Sequence, residues 1–225
     1  GEAGIEQLSR RVRRHTGGNP LFLANVLDQL IDRGVVRQTP SGWSTYADVA
    51  TADLGIPATI RPVIEQQLES LPAADRASLE TASVVGETFP IGVVAAAAEA
   101  DADELASRLS APSLRRYLRD VEPVASPEGL RWPQLAFTHT LYRDVLYDAI
   151  PFRRRAELHR RLGDHLERAW GEDAVQIAAE LALHFERGGE RERAIRHLTV
   201  AAENARRRSA FREARTHYDL ALELL

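Results

Sequence analysis

The sequence predicts a mainly α-helical protein with a short β-hairpin in its first part and an array of helical hairpins in its last part. Apolar residues recur at helical spacing over most of the 225 residues. Strand-like patterns are limited to short stretches near residues 35–45 and 121–138. No strand pattern follows Phe152, so the last part is predicted to be helical throughout.

The composition is typical of a folded, soluble protein, since 44% of residues are hydrophobic and 28% are charged. The absence of Cys excludes disulfides, thiolate metal sites and a cysteine nucleophile. The absence of Lys excludes covalent catalysis through a lysine Schiff base. No apolar run approaches the roughly 20 residues that span a bilayer, and no signal peptide is visible. We therefore expect a cytoplasmic protein that does not bind membranes.

Helices and one hairpin are predicted in order along the first half of the chain. Residues 5–14 form an Arg-rich segment that the turn Thr16-Gly17-Gly18-Asn19-Pro20 ends. Pro20 suits the first turn of the next helix, and Gly34 is a natural stop for it. Residues 35–45 read as a short hairpin. Further helices are expected at about 59–71, 74–85, 90–99 and 102–120.

Helices followed by a hairpin and one more helix outline a winged helix-turn-helix domain. Residues 121–134 are rich in Pro and are predicted to be a loop with short strands at its edges. Leu135 and Phe137 alternate as in a strand, whereas helical spacing begins after His139. His139 therefore lies where a strand gives way to a helix, so it could point at a ligand. The alternative is that His139 caps the helix that follows.

Residues 151–225 are predicted to be four helices, at about 152–169, 173–187, 190–208 and 210–224. The last two share a small-large-small pattern, Ala194-x3-Leu198-x2-Ala201 and Ala214-x3-Tyr218-x2-Ala221. This pattern is typical of tetratricopeptide helices, but its two occurrences are one helix apart rather than one full repeat apart. The sequence therefore predicts an α-helical hairpin array that is tetratricopeptide-like.

Taken in order, these segments resemble the C-terminal part of a STAND-type signalling ATPase, an AAA+-related class that includes bacterial regulators. The run Thr16-Gly17-Gly18-Asn19-Pro20-Leu21-Phe22-Leu23 is similar to the Gly-x-Pro motif of the helical lid. The run Thr138-His139-Thr140-Leu141-Tyr142-Arg143-Asp144 is similar to the Met-His-Asp motif of the winged helix. The resemblance implies three units: a lid segment with a short hairpin at 1–56, a winged-helix domain at 57–150, and the start of a tetratricopeptide-like array at 151–225.

The resemblance also implies two contacts with bound nucleotide. Pro20 would pack near the base, and His139 would reach the β-phosphate of ADP in a closed, inactive state. Thr140 stands where the family has Asp, so the usual partner of the histidine is changed. A Gly-x4-Gly-Lys-Ser/Thr loop is impossible without Lys. We therefore expect the P-loop, Mg and ADP or ATP to belong to an upstream part of a longer chain, with no cofactor bound and no catalysis by this fragment alone.

The implied function is regulatory. The fragment would help to hold ADP in a closed state and would link a helical sensor arm to the upstream ATPase core, in transcriptional or signalling control. The implied partners are that core and a protein or small-molecule inducer on the arm, with assembly into an oligomer in the active state.

Two alternatives remain open. The first is a helical interaction scaffold without nucleotide function, which Thr140 favours. The second is a DNA-binding winged helix with a recognition helix at 102–120; its arginines would be Arg108, Arg115, Arg116 and Arg119. The formal net charge of −4 and the interleaved acidic residues argue against DNA binding. The histidines lack the spacing of a zinc site.

Overall fold

The computed structural model describes residues 61–125 and 131–225 without interruption. Of the first 60 residues it describes 6, 8–13, 20, 23, 26, 27, 30, 31, 34–39 and 42–45. The predicted glycine turn at 17–19, the first residues of the helix expected at 59–71 and the centre of the predicted loop, residues 126–130, lie outside the described residues.

The described part of the N-terminal unit is helical at 8–13 and at positions 20, 23, 26, 27, 30 and 31. Gly34 ends this helix with φ +69°, and its N–H donates to the Ile31 carbonyl, as the sequence predicts. The predicted hairpin is confirmed as β1 (Val36–Thr39) and β2 (Gly42–Thr45), which pair in antiparallel fashion. A small buried cluster holds the unit together; it consists of Leu8, Val12, Val26, Leu30 and Val36.

The middle unit combines five helices with a three-stranded antiparallel sheet. Its elements are α1 (Arg61–Glu69), α2 (Ala73–Val85), β3 (Thr88–Pro90), α3 (Ile91–Ala98), α4 (Ala102–Leu109), β4 (Leu118–Ala125), β5 (Arg131–Phe137) and α5 (Thr140–Ala149). The strand order is β3-β5-β4. The helices cover the sheet around a core that includes Phe89, Tyr117 and Phe137. In the described residues, helices come first, the paired strands β4 and β5 follow, and α5 closes the unit. The assignment of this unit as a winged helix stays a prediction.

The predicted helix at 102–120 is wrong in its second half. The helix α4 ends at Leu109, because Ala111 is extended (ψ 142°) ahead of Pro112, which restricts the residue before it. A 3₁₀ turn at Pro112–Leu114 follows, and β4 begins at Leu118. The four arginines of the proposed recognition helix therefore lie on a helix, a turn and a strand, so this segment does not form the single recognition helix that the DNA-binding alternative requires.

The Pro-rich stretch 121–134 is also more regular than predicted. It contributes most of β4 and β5, which pair from Leu118↔Phe137 to Ala125↔Arg131. The register shifts between Val121 and Val124, and Pro123 lies in this irregularity, where its missing N–H costs no ladder hydrogen bond. The sequence prediction also missed β3, which pairs with β5 at the edge of the sheet.

The C-terminal unit is the predicted array of helices. It consists of α6 (Phe152–Trp170), a 3₁₀ segment (Gly171–Ile177), α7 (Ala178–Arg187), α8 (Arg191–Arg207) and α9 (Phe211–Glu223). Short connections make successive helices pack side by side in an antiparallel array. The small residues of the pattern are all buried; they are Ala194, Ala201, Ala214 and Ala221. The prediction of a mainly helical chain with a short hairpin is confirmed. No helix in the described part of the chain is both long and apolar enough to cross a membrane.

A charged clamp fixes α8 against α6. Arg193 donates to Asp164 at 2.6 Å and to Glu167 at 2.5 Å. The Arg193 guanidinium also lies 3.7 Å from the centre of the Phe185 ring, which belongs to α7. Gly163 of α6 faces the same ring, since a Cβ at this position would lie 2.7 Å from Phe185 Cε1. The three helices therefore meet at the Phe185 ring.

We expect Gly163→Ala to destabilise the protein by about 1 kcal/mol or more. Ala favours a helix over Gly by up to about 1 kcal/mol, but overpacking a core typically costs about 1–3 kcal/mol. Urea unfolding measures the balance. In a Phe185→Leu background, which removes the ring edge, the same substitution should cost less or become stabilising. An equal cost in both backgrounds would mean that the ring does not set the helix spacing.

Candidate functional site

The structure places His139 at the junction between β5 and α5, as the sequence predicts. His139 is the residue before α5 and has an extended backbone, with φ −140° and ψ 135°. Its side chain makes no capping hydrogen bond, so the prediction that the histidine caps the helix through its ring is wrong. The ring is half-buried and instead lies 5.7 Å from the ring of Tyr142.

The residues around His139 hold the junction in place. Thr138 donates from its N–H to the Tyr117 carbonyl at 2.8 Å and from Oγ1 to the Arg116 carbonyl at 2.7 Å. Tyr142 is buried edge-to-face against Tyr117, with ring centres 5.0 Å apart. Burial raises the pKa of the Tyr142 phenol, and Tyr117 acts in the same direction. The imidazole of His139 therefore lies beside a buried tyrosine that is itself packed against Tyr117.

Pro20, the other predicted nucleotide contact, is exposed and helical within the N-terminal unit. The buried residues of that unit form a cluster separate from the core beneath His139. No described contact brings Pro20 and His139 together, and the glycine turn before Pro20 lies outside the described residues. The role of Pro20 therefore stays a prediction.

A second group of polar residues lies where the middle unit meets the helical array. The two units share one apolar cluster, in which Val84, Ala97 and Ile150 of the middle unit pack with Leu162 and Phe185 of the array. At the edge of this cluster five polar residues gather with Tyr147. We name this group the Tyr147 hub; it consists of Arg143, Tyr147, Arg155, His159, His184 and Arg187.

The histidines of the hub form a buried chain of hydrogen bonds with Tyr147. Tyr147 Oη lies 2.9 Å from His159 Nε2, and His159 Nδ1 lies 2.9 Å from His184 Nδ1. His159 is 1% exposed and His184 is 3% exposed, so water does not reach most of this chain. The chain joins α5, α6 and α7.

The direction of these hydrogen bonds follows from Arg187, which can only donate. Its Nη1 donates to Tyr147 Oη at 3.2 Å, which leaves the phenol hydrogen to donate to His159 Nε2. His159 then carries its proton on Nδ1 and donates it to His184 Nδ1. Both rings are neutral in this arrangement, with the proton of His159 on Nδ1 and the proton of His184 on Nε2.

Electrostatics keeps both rings neutral. Burial lowers the pKa of His159 to about 3, and the neighbouring His184 acts in the same direction. Further lowering comes from three guanidinium groups, those of Arg187, Arg155 and Arg143. Burial, assisted by Arg187, lowers the pKa of His184 to about 4. The hub is therefore a place of positive potential in which histidine is uncharged at neutral pH.

The three arginines surround the ring of Tyr147. Their Cζ atoms lie 5.8 Å (Arg143), 4.9 Å (Arg155) and 5.7 Å (Arg187) from the ring centre. Arg143 also donates to the Ser83 carbonyl of α2 and pairs with Asp144 at 3.1 Å. Arg155 donates to the Tyr147 carbonyl at the C-terminal end of α5. The hub therefore ties four helices together.

Sequence reasoning did not find the hub, because its members are distant in sequence. A partial signal was present, since its residues occur at helical spacing. Arg143 and Tyr147 are four apart on α5, and Arg155 and His159 are four apart on α6. Each pair alone is typical of a surface helix face, and only the packing of α5 on α6 and α7 brings the pairs together.

Comparison with known proteins identifies no family. No protein-family model matches the chain. An uncharacterized protein of Rhizobium meliloti (strain 1021) is 36% identical over 88 residues. The match covers 39% of this chain and 9% of the relative, so the similarity concerns a small part of a much longer protein.

We expect the protein to lose stability as the pH falls below about 6.5. The unfolded histidines have a pKa near 6.5, whereas the folded values are about 4 and about 3, so protons bind the unfolded state first. A shift from 6.5 to about 4 corresponds to about 3 kcal/mol, present above pH 6.5 and lost progressively towards pH 4. Urea unfolding between pH 7.5 and 4.5 measures this loss. His184→Gln should make the free energy of unfolding depend less steeply on pH. His217→Gln on α9 is the control; an equal reduction there would contradict the assignment.

We expect Tyr147→Phe to loosen the array from the middle unit. The substitution removes the hydroxyl that accepts from Arg187 and leaves His159 Nε2 buried without its donor, which costs about 1–3 kcal/mol. Hydrogen exchange should increase in α6 and α7 more than in the sheet. Tyr218→Phe removes a hydroxyl from a more exposed ring on α9 and should leave exchange unchanged. Uniform destabilisation of all helices would show that the hub does not act locally.

Proposed function

We propose that this chain is a regulatory part of a STAND-type signalling ATPase, in which α5 couples a nucleotide contact at one end to the helical array at the other. The arrangement of α5 supports this proposal. His139 precedes the helix, and Tyr147 lies eight residues later, about 12 Å along the axis at the usual helical rise. A shift of the array at the Tyr147 hub would therefore move His139 through one rigid element.

The residues at the start of α5 fit a phosphate group of ADP. The first turn of α5 has no acidic side chain, and a helix N-terminus attracts anions. An imidazole N–H beside it can donate to a phosphate oxygen in a charge-assisted bond. ADP would supply the negative charge that holds this end of α5 in the closed state. Thr140 offers a hydroxyl, not a carboxylate, so the charged partner expected from the resemblance is replaced by a neutral group.

The proposed mechanism assigns holding and coupling to this chain and no bond-breaking step. In the closed state His139 would hold the nucleotide while the array stays docked through the hub and the shared apolar cluster. An inducer that binds the array would favour a different position of α6 and α7. Because α5 contacts them through Tyr147, His139 would leave the phosphate, and nucleotide exchange and assembly would follow in transcriptional or signalling control.

A second candidate is a helical scaffold that binds a protein partner without nucleotide. The outer side of α9 favours it, since several large apolar side chains are exposed there. Phe211 is 67% exposed and Leu222 is 66% exposed. Exposed apolar residues grouped on one helix are typical of a contact surface. This candidate needs no role for His139, so the same experiment separates the two.

We expect His139→Ala to release nucleotide from the longer protein that contains the upstream ATPase core. Loss of one charge-assisted hydrogen bond, about 1.5–3 kcal/mol, weakens ADP binding by about tenfold or more. The purified protein is denatured, and the released ADP is quantified per mole of chain. His217→Ala serves as the matched control.

If the wild type retains ADP and only His139→Ala loses it, the result supports the proposal that His139 holds the nucleotide. Equal ADP in both proteins would remove His139 from the mechanism, and no nucleotide in either would favour the scaffold.

A further inference from the structure

The charges of the Tyr147 hub are not balanced within the described residues. Arg143 has Asp144 as its ion pair. Arg155 and Arg187 have no carboxylate within ion-pair distance in the described part of the chain. Their hydrogen bonds go to neutral acceptors, the carbonyl and the hydroxyl of Tyr147. Two guanidinium groups therefore face one ring with their charges unmatched.

These two arginines can be reached by a ligand. Arg187 is exposed at the end of α7, and Arg155 is half-buried on α6. Each guanidinium has five N–H donors, of which the structure uses one for a hydrogen bond to Tyr147. The planar arrangement of these donors matches the oxygens of a phosphate or sulfate group.

The charges around the Tyr147 ring indicate the charge of a suitable ligand. The two histidines behind the ring are neutral, so the net charge to be balanced comes from the two arginines. A carboxylate would balance one of the two guanidinium groups. A phosphate group carries a charge of about −1.5 to −2 near neutral pH and would balance both.

We propose that Arg155 and Arg187 form a binding site for a phosphate dianion at the joint between the middle unit and the helical array. The ligand is inorganic phosphate or the terminal phosphate of a phosphate ester. Because it bridges α6 and α7 beside Tyr147 of α5, it stabilises the docked position of the array. This site does not depend on nucleotide binding at His139, which lies at the opposite end of α5.

The test uses the 225-residue chain with inorganic phosphate as the probe. Isothermal calorimetry at pH 7.5 measures phosphate binding, and thermal unfolding in sodium phosphate is compared with sodium chloride at equal ionic strength. We expect phosphate to raise the Tm while chloride does not. Arg187→Gln should weaken binding by about tenfold or more, and Arg155→Gln should do the same. Arg153→Gln, which removes an exposed arginine from α6, is the matched control.

Titration with ADP and with a phosphomonoester then identifies the source of the phosphate group. Competition by either compound supports the site and names an ester as ligand, and binding of phosphate alone supports it with the free ion as ligand. Circular dichroism verifies that each variant is folded. Absence of phosphate binding by the wild type would overturn the proposal. Equal weakening by Arg153→Gln would also overturn it, because it would mean that phosphate responds to net charge and not to these two arginines.

Discussion

The hydrogen bond between Tyr147 and His159 is the contact on which the arrangement of the units depends. It crosses from α5 to α6 inside a region where His159 is 1% exposed, so no water can replace it at full strength. Burial of an imidazole is tolerated there because the ring is neutral and hydrogen-bonded at both nitrogens. If His159 becomes protonated or Tyr147 moves away, the hydrogen bond is lost and a polar group stays buried without a partner. The docking of the array is therefore set by polar complementarity as well as by apolar area.

The connection between α5 and α6 leaves little freedom for the two units to move independently. Only Ile150 and Pro151 separate the helices, and Ile150 is 2% exposed within the shared apolar cluster. Pro151 fixes its own φ and disfavours a helical conformation at Ile150, so the bend between the helices is stiff. Movement of the array must then break the shared cluster or carry α5 with it. This constraint makes α5 the natural element for passing a change from the array to the β5–α5 junction.

Most helices could be predicted from the sequence because helix formation depends on local spacing and on nearby Gly and Pro. Gly34 ends the helix of the N-terminal unit where the sequence pattern places the stop. The predictions were wrong where pairing with a distant strand determines the secondary structure. Pro123 suggests a loop, yet β5 organises its neighbours into a strand with an irregular register. The place of His139 between a strand and a helix follows from its neighbours in sequence, so it could be predicted. The Tyr147 hub forms only when α5, α6 and α7 pack together, so it could not be predicted from the sequence.

The helix dipole of α5 favours an anion at its N-terminal end and cations at its C-terminal end. Both proposals use this property of the helix. Its N-terminal end, next to His139, attracts anions because the first N–H groups are unpaired within the helix. Its C-terminal carbonyls attract cations, and Arg155 donates to one of them. A phosphate dianion at the hub would neutralise the arginines without displacing them, since each guanidinium has donors to spare. Nucleotide at one end and phosphate at the other are thus compatible with one docked state, and each would make the release of the array from the middle unit more costly.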